Sequence, residues 1–247
     1  MPVYNAEKHL RESLDALVSQ SFIDFELIIS DNASTDNTSE ICLEYSKKDH
    51  RIRYIRQITN IGSWQNFKYV LEKSQSEYFM WSAHDDVKSF NFIELNYSFL
   101  TKNKDHVAST CPNRFEAKHE DISFSMNESN NFERYIKFFS HCWFSHGIFY
   151  SLIRTDILKK CELLEIDNAF FAIDWGVDVF IASRGKINLT DEGFIYFRKG
   201  GESQSTNHYR KMRTSHLEFY FEFYKLNMYV LRLCKSLSLI KKCRMIF

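Results

Sequence analysis

An α/β fold, with a mostly parallel open sheet flanked by helices, follows from three observations. Short apolar runs rich in strand formers alternate with segments of helical periodicity over the first 110 residues. Such alternation builds βαβ units. Two of the runs end directly in carboxylates, at Asp31 and again at Asp85 and Asp86. In parallel sheets ligand sites open just beyond the carboxyl ends of strands, where such residues gather. The third observation is the size: 247 residues, 44% hydrophobic and 26% charged, suit one globular α/β unit.

The elements follow in order. "MPVYN" reads as the exit of a strand whose body the sequence does not supply, so the sheet is expected to lack part of an edge or central strand. "NAEKHLRESLDALVSQ" places Leu10, Leu14, Leu17 and Val18 at helical spacing, with Asn5 as its expected N-cap. "FELII" (25–29) suits a buried strand. "STDNTSEICLEYSKK" reads as a helix capped by Ser34 or Asp36. "IRYI" (52–55) is a strand, "SWQNFKYVLEKS" a helix and "EYFMW" (77–81) a strand. A helix over 91–103 and the strand "HVAST" close this half. Beyond it, "GIFYSLI" and "FIYF" read as strands and "DWGVDVFIASRG" as a helix closed by Gly185. The tail from His208 is helical and aromatic.

Composition narrows the function classes. Lys+Arg and Asp+Glu are both 32, so charge gives no sign of a nucleic-acid partner. Cys42, Cys111, Cys142, Cys161, Cys234 and Cys243 form no C-x-x-C pair, which argues against zinc-ribbon or redox chemistry and for reduced packing thiols in a cytosolic setting. The opening has no apolar leader-like core, and no uninterrupted apolar run is long enough to span a bilayer. Two prolines and seven glycines mark no linker.

Three stretches carry chemistry. In "IISDNASTDNTSE" a strand ends at Ser30, and Asp31 and Asn32 follow at its tip. Asp31 can accept hydrogen bonds from a base or a ribose, and Ser34, Thr35 and Asp36 open a helix whose N-terminus favours anions. The bland alternative is a strand–turn–helix joint. In "FMWSAHDDV" two adjacent like charges follow an aromatic strand. A divalent cation would offset their repulsion, since Mg²⁺ is typically held by one or two carboxylates plus substrate phosphates. The alternative is a polar turn. In "FFAIDWGVDVFIASRGKI", Asp174 stands where a helix begins, either as a general base or as its cap, with Asp178 one turn on as competitor.

Pro2, Tyr4, Asn5, Gln20, Glu26, Asp31, Asn32, Ser34, Asp36 and Thr38 together closely resemble the opening of family 2 glycosyltransferases of the GT-A fold. The match is strong over residues 1–90 and loose beyond. The resemblance implies a GT-A-like unit over 1–205, with a nucleotide-binding half (1–110) and an acceptor half (111–205), and a helical tail over 206–247. It implies an inverting transfer from a nucleotide-diphosphate sugar to a hydroxyl of a glycan or lipid-linked acceptor, in bacterial surface polysaccharide synthesis. The nucleotide would rest on Pro2, Tyr4, Asn5, Asp31, Asn32, Ser34, Asp36 and Asp85. Mn²⁺ or Mg²⁺ would be held by Asp86 directly, with Asp85 as a ribose or supporting contact. Asp174, in an x-D-W context, would be the catalytic base. Many members carry an Asp where this chain has Ala83.

Three further segments have two readings each. "RKGGESQSTNHYRKMR" (198–213) reads as a closing basic loop over a pyrophosphate or as a solvated connection. Trp143, His146 and Trp175 read as acceptor contacts or as packing. The tail lies on an anionic leaflet at the inner membrane face or packs against the domain. Two rivals stand beside the transferase: a nucleotidyltransferase, whose Gly-rich basic loop is missing from "MPVYNAEKHL", and a nucleotide-sugar-binding module without turnover, compatible with Ala83.

Overall fold

A computed structural model describes residues 1–116, 122–198, 217 and 220–235. Strand β1 (Pro2–Val3) is short, and helix α1 (Leu10–Val18) follows. Leu10, Leu14 and Leu17 bury one helix face with Ser13, as the spacing requires. Asn5 does not cap α1: it lies in the left-handed region (φ 47°), and the helix starts after His9. Strand β2 (Leu27–Asp31) is buried throughout, as a parallel strand covered on both faces must be. It leads into α2 (Thr38–Lys48), β3 (Ile52–Arg56) and α3 (Ser63–Lys73). β1, β2 and β3 form a parallel sheet in which Pro2 pairs with Ser30 and Asp31 with Arg56. The Met1 amine extends the pairing, donating to the Ile28 carbonyl (2.7 Å).

The remaining elements are β4 (Tyr78–Phe79), β5 (Val87–Lys88), α4 (Phe92–Lys102), β6 (His106–Thr110) and β7 (Asn113–Phe115), then α5 (Asn131–His141) and α6 (His146–Phe149). β8 (Leu152–Arg154), α7 (Thr155–Leu158), α8 (Ile173–Arg184), β9 (Lys186–Leu189), β10 (Ile195–Phe197) and α9 (Tyr224–Leu233) complete the order. One sheet runs β4-β8-β6-β9 and another β5-β10-β7. Both contain parallel pairs, β6 with β9 and β7 with β10. β8 runs antiparallel to β4 and β6, and β5 antiparallel to β10. The predicted α/β class therefore holds, with antiparallel insertions.

Two strand expectations are corrected. "EYFMW" is extended in the ladder only at Tyr78–Phe79, because Trp81 leaves the sheet to bury its ring against Phe149 (centroids 4.6 Å, planes 8° apart). "GIFYSLI" begins as helix α6 and becomes strand only at Leu152. Gly147 lets α6 sit tightly on β7, since a Cβ there would collide with Asn113 Oδ1.

α8 is buried nearly all round, from Ile173 through Ala182, which marks a central helix rather than a surface one. The largest apolar cluster surrounds it and takes in Leu226, Tyr229, Val230 and Cys234 from and beside α9. The described part of the tail thus packs against the domain. Residues 199–216 and 236–247, including most of the basic loop, His208 and Cys243, lie outside the described residues. The other five cysteines are buried. No helix among the described residues is long and apolar enough to cross a membrane.

Candidate active site

A cleft of ≈ 430 Å³ opens where the two halves meet. Pro2, Asp85 and Asp86 line it from the first half; His146, Tyr150, Asp174 and Asp178 line it from the second.

The approach to Asp85 and Asp86 is held rigidly. Trp81 is fully buried and donates from its indole to the Phe67 carbonyl (3.0 Å). Ser13 of α1 donates to the Ala83 carbonyl (3.1 Å), which fixes the turn at the position where the family pattern departs. Asp86 is 6% exposed and Asp85 half-buried. Burial, and then the charge of Asp85, push the Asp86 carboxyl up to about 7, while Lys88 and Arg198 pull it back. Lys88 is a second buried charge: burial lowers its ammonium to about 8, and it donates to Ser82 Oγ (3.0 Å). Arg198 pairs with Glu12 of α1, and its charge reaches the Asp86 carboxyl.

The strand-end acids behave differently. Asp31 does not line the cleft; its side chain is fully buried. Its carboxylate accepts from the Ser34 backbone (2.9 Å) and the Tyr54 hydroxyl (2.9 Å), with Arg56 Nε at 3.9 Å. Asn32 holds the loop before α3, donating to Asn60 Oδ1 (3.0 Å) and accepting from Ile61 N (2.8 Å). Ser34 Oγ accepts from Asn5 N (3.0 Å), and Asn5 Oδ1 accepts from Thr35 N (2.9 Å). Asp36 accepts from Thr38 N (3.0 Å) at the start of α2 and from Glu7 N (3.1 Å). These residues knit the end of β1 to the end of β2. Through Pro2, paired beside Asp31, they abut the cleft, and Tyr4 stays exposed next to them.

Asp174 projects from the first turn of α8 into the cleft, surrounded by protein yet open to solvent. Burial raises its carboxyl above the ordinary value; backbone N–H groups and His146 oppose the shift. His146 faces it from α6, its own pKa lowered by burial. Asp178, one turn along α8, is 1% exposed, and neither oxygen has a well-formed hydrogen bond; the Ser145 hydroxyl is its nearest polar support. Burial and the Asp174 charge push Asp178 well above the carboxylate range. Burial, and then the charges of Asp86, Asp85, Asp174 and Asp178, push the Tyr150 hydroxyl well above its ordinary value; all five residues line the cleft.

Three non-glycine residues among those described have positive φ: Asn5 (47°), Ala33 (59°) and Ala172 (62°). The first two sit in the strand-end cluster, and the third sets the start of α8 just before Asp174. Such outliers persist where surrounding structure holds them and tend to gather at functional sites.

Lys88 and Tyr150 escape the sequence reading. Lys88 is two residues after Asp86, and the period-two geometry of a strand puts both on one face; that signal was present. Tyr150 carries none, because the α6–β8 reversal brings it to the site. Among the described residues no three His, Cys, Asp or Glu side chains form a metal cage. Two adjacent hard oxygen donors, one bearing a raised pKa that a cation would relieve, still fit a Mg²⁺ or Mn²⁺ that completes its shell with phosphate and water.

Fold and cleft thus describe an α/β protein with a carboxylate-lined crevice at the carboxyl ends of its strands. The glycosyl transferase family 2 model matches residues 1–161, and the chain belongs to that family. Curated relatives match over shorter stretches. The glycosyltransferase GlyA of Streptococcus pneumoniae is 32% identical over 108 residues, covering 44% of this chain and 15% of the relative. A glycosyltransferase of Haemophilus influenzae is 34% identical over 103 residues, covering 42% of this chain and 41% of the relative. The chain thus spans less than half the length of these two relatives. Among solved structures, TarS 1–349 of S. aureus in complex with UDP-GlcNAc superposes with a TM-score of 0.73 at 20% identity, covering 98% of this chain and 67% of that one. The mannosyltransferase PcManGT of Pyrobaculum calidifontis, in complex with GDP-Man and Mn²⁺, gives 0.59 at 14% identity, covering 99% of this chain and 70% of that one. These likenesses show the GT-A fold.

Proposed function

We propose that this chain is an inverting, metal-dependent glycosyltransferase that moves a sugar from a nucleotide-diphosphate donor to an acceptor hydroxyl. The observation that carries the reading is the convergence of Asp85, Asp86, Asp174 and Asp178 on one cleft built from both halves of the chain. The nucleoside lies against Pro2, Tyr4 and Asn5 and the knitted turn of Asp31, Asn32, Ser34 and Asp36. Asp85 and Asp86 are the ligands for Mn²⁺ or Mg²⁺, which when bound neutralises charge on the departing diphosphate. Arg198 adds a cation beside the same phosphates. Asp174 accepts the acceptor's hydroxyl proton as that oxygen attacks the anomeric carbon and the bond to the diphosphate breaks. Its raised pKa makes it a better proton acceptor than a free carboxylate, and its solvent-open position admits an acceptor. The complexes of TarS with UDP-GlcNAc and of PcManGT with GDP-Man and Mn²⁺ support the donor class and the metal at the level of the fold.

The test is turnover of uridine-, guanosine- and deoxythymidine-diphosphate sugars with Mn²⁺, with Mg²⁺ and with chelator. At least one donor should turn over with metal and fall about 100-fold or more without it, the range over which such charge stabilisation acts. Nucleotide binding that ignores metal and never leads to turnover would make the chain a binding module instead.

The same reading places the protein in the cytoplasm, at the inner membrane face, in surface polysaccharide synthesis. Its support is the exposure of Tyr220 (77%) and Phe221 (65%) ahead of α9 and of Met228 (48%) on it, while Leu226 and Val230 of the same helix pack inward. The protein should sediment with vesicles containing anionic lipid, and Tyr220→Ser with Phe221→Ser should release it. Equal sedimentation of the double variant would remove the tail from that role.

A further inference from the structure

We propose that Trp143 is the platform on which a carbohydrate ring of the acceptor stacks; the inference rests on the transferase reading above. Trp143 lines the cleft, yet its side chain is 64% exposed, unusual for an indole next to a large apolar cluster. It is also held in place. Its edge meets Trp175 at 85° with centroids 5.0 Å apart. Trp175 stacks on Phe223 beside α9 (5.5 Å, 7°) and meets Phe138 edge-on (6.4 Å). A rigid, solvent-facing aromatic surface loses little entropy on binding.

Its position selects the acceptor. Trp175, the ring that Trp143 meets, directly follows Asp174 in α8, and all three line the cleft. Trp143, Ser145, His146 and Asp174 all belong to the second half, whereas Asp85 and Asp86, where the diphosphate would sit, come from the first.

The polar chemistry of the same walls selects carbohydrate over a lipid chain. Two buried polar groups of the cleft wall have no well-formed hydrogen bond: the indole nitrogen of Trp64 (6% exposed) and the carboxyl of Asp178 (1% exposed), which has the Ser145 hydroxyl as its support. A hydrocarbon would leave them unmatched at a cost. A sugar offers both an apolar C–H face for the indole and hydroxyls, directly or through bridging water, for these groups.

The experiment compares wild type, Trp143→Ala and Trp143→Phe for transfer to methyl glycosides of glucose, galactose, mannose and N-acetylglucosamine, and to farnesyl phosphate, with donor hydrolysis followed in parallel. Because Trp143 is exposed, both variants should fold. For whichever glycoside the wild type uses, Trp143→Ala should raise the acceptor KM about 10-fold or more, and Trp143→Phe should restore it to within about threefold. The donor KM should move far less. A donor KM that rises as much as the acceptor KM, or an acceptor KM that does not move, overturns the platform. Transfer to farnesyl phosphate alone, or donor hydrolysis with no glycoside used, overturns the carbohydrate class while leaving the transferase reading intact. Absence of donor hydrolysis in the wild type overturns that reading itself.

Discussion

Asp178 is the residue whose position is hardest to account for by packing. A carboxyl without a well-formed hydrogen bond, enclosed on a largely buried helix, costs stability that a leucine of similar reach would not. Because burial and Asp174 raise its pKa, the folded protein keeps a proton that the unfolded chain gives up near the ordinary carboxylate value. The contribution of Asp178 to stability is therefore most favourable at acid pH and falls as pH climbs through that window, by up to about 1.4 kcal/mol per unit while the folded state alone holds the proton. Asp86, raised to about 7, adds a slope of the same sign. Urea denaturation should find Asp178→Leu more stable than wild type at neutral pH by about 1–3 kcal/mol, with a shallower decline between pH 5 and 7. A less stable variant with an unchanged slope would mean that Asp178 is ionised and satisfied. Sequence spacing named Asp178 as the competitor of Asp174 without fixing which of them faces solvent. Both lie on the same face of α8; Asp174, in the first turn, is exposed, and Asp178, one turn deeper, is enclosed.

At the scale of elements, the strand-to-turn passage after β4 does the positioning. Trp81 packs its whole ring into the cluster around Phe149 and Phe79, and from there the chain reaches Asp85 with Ser13 fastening Ala83. Trp81→Ala should cost about 3–5 kcal/mol of stability. It should also loosen Asp85 and Asp86, the proposed metal ligands, so that apparent Mn²⁺ affinity weakens even where the variant remains folded; Mn²⁺ titration followed by electron paramagnetic resonance would read this. Unchanged affinity would show that the turn is held without Trp81. Elements with one strong signal were legible in the sequence: the leucine stripe of α1, the apolar run of β2, and the glycine-ended α8. Those decided by tertiary competition were not. Asn5 gave its side chain to Thr35 rather than to α1, and Gly147 served a close helix–strand contact instead of a strand.

At the scale of the molecule, the first half resembles its relatives strongly enough that the motif order predicts the fold, while of the motif residues in that half only Pro2, Asp85 and Asp86 line the cleft. Asp31 is the instructive departure. It was expected at a rim shared with Asp86, and it stands one layer behind, holding the turn that Pro2 carries to the cleft. The second half is assembled from short helices and antiparallel strands whose order has no simple period, so Tyr150 and the Trp143–Trp175–Phe223 stack became visible only in three dimensions. Both halves meet at Asp174, and the most direct test is the pH dependence of kcat for donor turnover in wild type and Asp174→Asn. Wild type should lose activity on the acid side with a midpoint above about 4, the value of a free aspartate, because burial raises the Asp174 pKa. Asp174→Asn should fall at least about 100-fold in kcat with the donor KM little changed, as expected for loss of a general base. An asparagine variant that keeps wild-type kcat and the same acid limb would contradict the assignment of Asp174 and the chemistry built on it.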